Sequence, residues 1–298
     1  MSLQWTNGGP AGSSASLVKT IRYYTSSDTW TKPEGLDSVR VICVGSGAGG
    51  GSGARYGAGS NSCGGSGGGG GNVVWRDIAA DDLGASASVT IPAGGAGGAA
   101  QTSDTTNGNG GSNGGVCSFG THVVTLTATA GSGGAGTSQS GGAGAIINAC
   151  TPINYPFAFQ GANGGNGSRN SPTSGLPGFG IFGSALAGGC GGGAGGGGFT
   201  NVDATSHGAA GAGIYNKSNS VIGAATQGLT TGDRNGGAGT SNAAVHIHFD
   251  IDNALTHGIG SGGGGGACGD SGGTVADGNG VAGGDYGAGG GGGGGSRN

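Results

Sequence analysis

The sequence GGCGGGAGGGG occupies residues 188–198, and related glycine runs occupy residues 64–71, 260–266 and 287–295. Such a run does not form an α-helix, because each glycine in a helix interior costs about 1 kcal/mol relative to alanine. It also lacks the side chains that stabilise paired strands. The backbone can form a left-handed helix with about three residues per turn and no internal hydrogen bonds. Every N–H and C=O group then points sideways and needs a partner on a neighbouring segment.

The face of such a helix that touches a neighbour must carry glycine at every third position, because only glycine permits such a close approach. Three rows with this spacing are Gly189, Gly192, Gly195 and Gly198; Gly260, Gly263, Gly266, Gly269 and Gly272; and Gly284, Gly287, Gly290 and Gly293. Chance also produces such rows in glycine-dense segments, so a flexible linker is the alternative. Ordering a residue costs about 1–2 kcal/mol and a net hydrogen bond returns about 1 kcal/mol, so we expect a cooperative bundle or none.

The composition favours a folded protein of mainly β structure. The chain has 298 residues, of which 85 are Gly and only 7 are Pro, so it lacks the strict triplet of collagen. Its net charge is only −4 and 33% of its residues are hydrophobic, which is not typical of a disordered chain. The apolar residues cluster into four predicted strands at 39–44, 73–78, 122–126 and 244–251.

We therefore predict a mainly β fold with large irregular content and essentially no α-helix, in which a small antiparallel β part merges into a bundle of polyglycine-II helices. Residues 1–14 form an N-terminal segment in this prediction. Residues 15–130 are rich in strands interleaved with glycine tracts, including a turn at residues 32–35 (KPEG). Residues 131–298 form the polyglycine-II bundle with its loops.

Several classes of partner are disfavoured by the sequence. Ten Lys and Arg residues are scattered without a basic stripe, which argues against nucleic acid. No apolar run reaches the length of a membrane span, and residues 1–12 lack the features of a signal peptide, so we expect no membrane insertion and maturation in a cytosol. The six cysteines are far apart without a Cys-x-x-Cys motif, and we interpret them as thiols that serve as small apolar residues.

Residues 45–50 (GSGAGG) satisfy the Gly-x-Gly-x-x-Gly pattern of a dinucleotide site. That site also requires a helix that opens at the last glycine and an acidic residue about twenty positions later. Neither feature follows here, so we expect a glycine helix at these residues and no nucleotide cofactor.

The order of motifs between residues 29 and 145 resembles the glycine-rich domain of bacteriophage tail-fibre proteins. The motifs are TWTKPEG at 29–35, a strand and a glycine tract, VTI at 89–91, and CSFG at 117–120 followed by more glycine. In phage adhesins of this kind, similar tracts form a polyglycine-II sandwich whose variable loops touch the host surface. The chain departs from the family pattern in two long inserts, at residues 145–159 and 199–235.

The resemblance implies a non-catalytic virion protein that attaches a phage tail fibre to the bacterial host surface and is assembled in the host cytoplasm. Its expected partners are a receptor, either a polysaccharide or an outer-membrane protein, and other tail or baseplate proteins. Fibres of this kind are usually homotrimers, whereas adhesins at a fibre tip can be monomers, and we expect a homotrimer. A capsular polysaccharide depolymerase and a purely structural fibre segment are the alternative functions.

Candidate receptor contacts are Tyr155, Arg169, Tyr215 and Tyr286, because aromatic and polar side chains on a rigid scaffold suit recognition of sugars or proteins. Tyr155 and Arg169 lie in proline-containing segments, 146–160 and 168–182, which we interpret as ordered loops. The phenylalanines of these segments are expected to cap the glycine bundle.

The alternating sequence HIHFDID at residues 246–252 would place His246 and His248 on one face of a strand, together with two aspartates. Such a face could hold a divalent metal, and the resemblance to trimeric phage fibres implies iron bound by His-x-His pairs on the three-fold axis. We favour the simpler interpretation, a polar strand face in water, and therefore expect no cofactor. Glu34 is the only glutamate and no pair of carboxylates stands out, so we predict that the protein is not an enzyme.

Overall fold

The computed structural model of the protein describes residues 2–7, 18–56, 60–104, 106–135, 157–161, 163–167, 179–180, 193, 195–198, 214–215, 221–222, 289–294 and 296–297. The strands are β1 (Ser2–Asn7), β2 (Val18–Tyr23), β3 (Asp28–Thr31), β4 (Leu36–Val44), β5 (Arg55–Tyr56), β6 (Val73–Ala79), β7 (Ser86–Thr90), β8 (Ser118–Phe119), β9 (Val123–Val124), β10 (Phe157–Gln160), β11 (Phe179–Gly180), β12 (Ile214–Tyr215), β13 (Val221–Ile222) and β14 (Ser296–Arg297). One 3-10 helix spans Ala80–Asp82.

The larger sheet has six antiparallel strands in the order β11-β10-β6-β4-β1-β2. Its centre is the pair β4 and β6, in which Val44 lies opposite Val73 and Ser38 lies opposite Ala79. Strand β1, which the sequence analysis did not predict, fills the position between β2 and β4.

The smaller sheet has four antiparallel strands in the order β3-β7-β8-β9. Strand β3 ends at the predicted turn of residues 32–35, where Gly35 has φ 70°, a left-handed conformation that favours glycine. The predicted strand at 122–126 is shorter in the structure, because only Val123 and Val124 pair as a strand before the chain enters a glycine tract.

The two sheets pack face to face around one hydrophobic core. Strand β4 supplies Val39, Val41 and Cys43, which alternate along it and face the smaller sheet, as the period of two predicts. On the opposite side of the core, the smaller sheet supplies Trp30 and Phe119, whose rings meet edge to face with 5.3 Å between their centroids. The remaining buried members of this core are Leu36, Val74, Ile78, Ala80, Leu83, Val89, Cys117 and Val123.

The strands of this sandwich continue directly into glycine tracts that have the hydrogen-bond pattern of polyglycine II. We call these tracts g1 (45–54), g2 (62–72), g3 (92–99), g4 (107–115), g5 (127–135), g6 (161 and 163–167), g7 (193 and 195–198) and g8 (289–294). The main-chain hydrogen bonds that join them recur at every third residue along g1 to g5, g7 and g8, and g6 is bonded through Gly165.

The register of the β4–β6 pair passes into the g1–g2 pair without a shift. In the sheet every residue from Ser38 to Val44 has a partner, whereas in the bundle every third residue of g1 donates to g2. The successive bonds are Gly45 N to Asn72 O at 2.8 Å, Ala48 N to Gly69 O at 2.9 Å, Gly51 N to Ser66 O at 2.9 Å, and Ala54 N to Cys63 O at 3.0 Å. The sheet therefore sets the alignment of the helices that follow it.

Helix g1 lies at the centre of the described bundle and is bonded to g2, g3, g4, g5 and g8. Examples of bonds from three of these neighbours are Gly95 N to Gly47 O, Gly131 N to Gly49 O, and Gly290 N to Ala48 O, each at 2.9 Å. Helices g2 and g4 run antiparallel to g1, whereas g3, g5 and g8 run parallel to it. Helices g6 and g7 are antiparallel to g2 and therefore also run parallel to g1. All residues of g2 are buried.

The outer helices show the predicted period of three in their exposure. In g4, Gly108, Gly111 and Gly114 face inward and donate to g5, whereas Gly110 and Asn113 are exposed. The inward positions of g4 are glycine, and g5 has one inward alanine, Ala128, beside Gly131 and Gly134. The outward positions of the outer helices also carry alanine, serine and asparagine.

The fold class predicted from the sequence is confirmed: the described structure is mainly β, with antiparallel sheets and no α-helix. Residues 45–50 lie in g1, as expected, and form no strand-to-helix turn of a nucleotide site. The division at residue 130 stays a prediction, although g5 runs through this position as one helix bonded to g1, g2 and g4. Among the described residues, no helix is long and apolar enough to cross a membrane.

Candidate functional site

Several described segments of the chain that are distant in sequence meet at the end of the bundle opposite the sandwich. Helices g1, g3, g5 and g6 begin where strands β4, β7, β9 and β10 end, so all four run away from the sandwich. Helices g7 and g8 run in the same direction, and g2 and g4 return. We call this far end the apex and define it by residues 55–56, 103–104, 106–107 and 296–297.

Three distant parts of the chain meet at the apex through main-chain hydrogen bonds. Strand β14 pairs in parallel with β5, so that Ser296 lies opposite Arg55 and Arg297 lies opposite Tyr56. On the other side, Arg55 and Thr106 exchange two main-chain bonds, each of 2.9 Å. The apex backbone is therefore held from both sides.

The polar side chains of the apex form two pairs. Arg55 Nε lies 2.7 Å from Asp104 Oδ1, and the two side chains are 30% and 41% exposed. Tyr56 Oη donates a hydrogen bond to Asn107 Oδ1. An ion pair this exposed contributes little to stability. The ion pair instead holds the guanidinium group of Arg55 in place, and the hydrogen bond to Asn107 holds the ring of Tyr56 in place.

This arrangement has the groups that recognition of a hydroxyl-rich or charged ligand requires. A half-buried tyrosine ring offers apolar contact area at small entropic cost, and the guanidinium, carboxylate and amide offer hydrogen bonds. Asp104 is the one carboxylate among the described apex residues, whereas hydrolysis of a glycosidic bond usually uses two.

The structure leaves most of the predicted contact residues outside the described residues. Tyr155, Arg169 and Tyr286 lie outside the described residues. The main chain of Tyr215 is described, in β12 opposite Val221, but its side chain is not. In the sequence, Arg169 follows Gly167, the apex end of g6, by two positions. Tyr286 instead precedes g8, which begins at the end nearer the sandwich.

Only part of the predicted glycine rows is described. A Cβ atom on Gly195 would lie 1.9 Å from Asn166 O, and Gly198 is buried. In the third row, a Cβ on Gly290 would lie 3.4 Å from Gly50 N, and one on Gly293 would lie 3.3 Å from Gly53 N. The positions just before them are more crowded, because a Cβ on Gly289 or Gly292 would lie 2.1 Å from a main-chain oxygen of g2. The row members Gly189, Gly192, Gly260, Gly263, Gly266 and Gly269 lie outside the described residues.

The sequence analysis missed the pair Arg55 and Tyr56. A signal for it existed, because residues 45–54 contain only glycine, alanine and serine, and Arg55 is the first large residue after them. What the sequence did not reveal is that residues 103–104, 106–107 and 296–297 would lie beside this pair.

No group of three or more His, Cys, Asp or Glu residues is placed to hold a metal ion in the part of the chain that the structure describes. His246 and His248 lie outside that part, so the metal site considered for them stays a hypothesis.

A comparison with protein-family models matches residues 23–286 of the chain to a glycine-rich domain. A search of curated proteins found no match.

Proposed function

The chain belongs to the glycine-rich domain family, and from this premise we propose that it is a bacteriophage tail-fibre adhesin that attaches, without catalysis, to the bacterial host surface. In this role the protein is a component of the virion, is assembled in the host cytoplasm, and contacts other tail or baseplate proteins. Its receptor is a surface polysaccharide or an outer-membrane protein, and its assembled form is a homotrimer.

The observation that carries the proposal is the common direction of the six helices g1, g3, g5, g6, g7 and g8. The segments that follow them along the chain leave from one end of a main-chain-bonded bundle, opposite the sandwich. A scaffold that is already ordered lowers the entropic cost of binding, and binding residues are typically found on connections held by such scaffolds.

The proposal assigns receptor contact to the apex, where Arg55 and Tyr56 present a charged group and an aromatic ring. Arg169 and Tyr215 remain candidates beside them, since each follows an apex-directed helix in the sequence. Tyr155 remains a candidate in its own loop, since it precedes β10 of the larger sheet by two positions. Each contact is weak by itself, and several copies on one virion bind together through multivalency.

Adsorption of the purified, fluorescently labelled protein to bacterial cells tests the proposal. A strain collection is screened for binding, and the double variant R55A/Y56A is compared with wild type on a positive strain. We expect at least about a tenfold loss of cell-bound protein, because truncation of central aromatic and arginine contacts typically costs more than 1 kcal/mol each. Variants Y155A and R169A extend the same assay to the two loops.

Tyr23→Ala is the matched control, because Tyr23 is also an exposed tyrosine, 46% accessible, but lies on β2 in the sandwich. Its adsorption should equal that of wild type, and the melting temperatures of all variants should agree. Adsorption that survives every apex and loop variant would contradict the assignment of receptor contact to the apex and loops, whereas absence of adsorption to every strain would contradict the adhesin and favour a purely structural fibre segment.

The depolymerase alternative is distinguished by incubating the protein with purified capsular polysaccharide from a strain that it binds. An adhesin leaves the viscosity and the number of reducing ends unchanged. Released oligosaccharides would replace the proposal with the enzymatic function.

A further inference from the structure

Two cysteine side chains meet in the sandwich core. Cys43 lies near the end of β4 in the larger sheet, and Cys117 directly precedes β8 in the smaller sheet. Both are 0% exposed and belong to the same hydrophobic cluster. Each thus belongs to a different layer of the sandwich.

The sulfur of Cys117 accepts two hydrogen bonds from β4. One comes from the thiol of Cys43, and the other comes from the main-chain N–H of Val44. The two thiols are therefore close enough for each to shift the pKa of the other.

The main chains of the two layers also converge at this point. Face-to-face sheets normally lie about 10 Å apart, whereas a disulfide requires Cα atoms roughly 4.4–6.8 Å apart. Just beyond the cysteines, Ser46 N donates to Gly115 O at 3.3 Å, and Gly49 N donates to Ser112 O at 3.0 Å. The layers have therefore closed to main-chain bonding distance within a few residues of the cysteines. Sandwiches of the immunoglobulin type carry an inter-sheet disulfide in a comparable core position.

The environment makes the two thiols unequal. The hydrogen bond from Cys43 lowers the pKa of Cys117 below its ordinary value of 9.0, although burial acts in the opposite direction. Burial raises the pKa of Cys43 well above that value. Both thiols are buried, so an oxidant reaches them only when the sandwich opens locally. Because the thiolate is the nucleophile, Cys117 then reacts first and Cys43 resolves the product.

We propose that Cys43 and Cys117 form an oxidation site, at which a peroxide converts the two thiols into a disulfide that joins the two sheets. The Cys117 thiolate attacks one peroxide oxygen, the O–O bond breaks, and the departing hydroxide takes up the thiol proton as water. Cys43 then loses its proton and its sulfur attacks the sulfenic sulfur of Cys117. The S–S bond forms, the S–O bond breaks, and a second water leaves, so two electrons pass from the sulfurs to peroxide.

The disulfide would restrict the unfolded chain between residues 43 and 117, which is a long loop, and such restriction stabilises the folded state. The protein would be reduced where thiols are kept reduced and would gain stability on exposure to an oxidant. We expect the melting temperature to rise by about 5–10 °C.

Peptide mapping of the full-length protein tests the site without any substitution. The folded protein is treated with hydrogen peroxide, its remaining thiols are alkylated in denaturant, and it is digested with trypsin and chymotrypsin. Cleavage after Arg55 separates Cys43 from Cys63, and cleavage after Phe119 separates Cys117 from Cys150. We expect a linked peptide pair that carries Cys43 and Cys117, together with the rise in melting temperature.

Cys63→Ala is the control, because Cys63 is equally buried but its Sγ donates to the main-chain oxygen of Gly64 at 3.3 Å. This variant should still form the link, whereas Cys43→Ala should not. Absence of the linked pair at peroxide concentrations that oxidise a short cysteine peptide would overturn the site. A link that forms without any rise in melting temperature would overturn its stabilising role.

Discussion

At the residue scale, the need for glycine depends on the row of the helix in which the residue lies. Neighbouring positions of g3 illustrate the difference. A Cβ atom on Gly98 would lie 2.2 Å from Asn109 O and 2.8 Å from Ser52 N, whereas one on Gly97 would meet only Gly50 O at 3.7 Å. Main chain cannot move aside as a flexible side chain can, so only the inward position excludes a side chain.

Gly98→Ala should therefore lower the free energy of unfolding by at least about 2 kcal/mol, since one methyl group would have to separate two bonded helices. Gly97→Ala, its neighbour, should change the free energy by no more than about 0.5–1 kcal/mol, and in the stabilising direction, because alanine has less freedom in the unfolded chain. Urea unfolding monitored by circular dichroism measures both. Equal effects of the two substitutions would contradict tight packing at the inward row.

At the element scale, side chains complete the hydrogen bonding where strands change into glycine helices. Consecutive residues of a strand all have partners on the neighbouring strand, whereas only every third residue of a glycine helix bonds to a given neighbour. Some main-chain groups at the junction therefore lose their strand partners. Thr125 Oγ1 accepts a bond from Cys117 N at 2.8 Å, and Asn72 Oδ1 accepts one from Leu126 N at 3.0 Å. Thr125 and Asn72 are 1% and 0% exposed. These buried side chains replace main-chain acceptors that neither regular pattern supplies.

Thr125→Val keeps the shape of the side chain but removes the acceptor of the Cys117 N–H. We expect it to lower the free energy of unfolding by about 1–3 kcal/mol, which is the cost of leaving a buried donor unsatisfied. Thr106→Val is the matched control, since the Thr106 hydroxyl bonds to Ser103 O at the exposed apex, where water can replace it. Thermal and denaturant unfolding of both variants provide the measurement, and a smaller effect of Thr125→Val than of Thr106→Val would refute the role of the junction.

At the scale of the whole molecule, the bundle is stable only as a cooperative unit. Helix g1 buries few side chains of its own, and its main-chain groups are bonded to five other helices, so removal of one neighbour exposes groups on g1. The sandwich has an ordinary hydrophobic core, from which g1 and g2 extend without a change of register. The core thus anchors a bundle that has only a few small apolar side chains of its own, such as Ala48 and Ala128.

Amide hydrogen exchange followed by NMR tests this cooperativity. The amides of Gly49 and Gly51 in g1 are bonded to g4 and g2, so they should exchange only through global unfolding. The amides of Gly97 and Gly110, which are exposed on the outer helices, should exchange orders of magnitude faster. Exchange of the g1 amides at the rate of a free peptide would show that the bundle is not locked through its main chains.

Much of the local structure could be predicted from particular residues. The alternation of Val39, Val41 and Cys43 predicted the inner face of β4, and the KPEG sequence predicted the turn at Gly35. The candidate site was less predictable, because Arg55 and Tyr56 acquire their neighbours from residues 104, 106–107 and 296–297. No local pattern in the sequence relates these segments.

The sequence by itself determined the central strands, the glycine helices, and the absence of α-helix among the described residues, because these properties depend on the side chains present within each segment. Only the tertiary structure decided which helices are neighbours, which run parallel, and that Cys43 meets Cys117. The physical reason is that a glycine helix offers nearly the same N–H and C=O groups on every side and therefore carries little information about its partners. That choice comes from the apolar strands, whose pairing and packing set the register and direction of the helices that follow them.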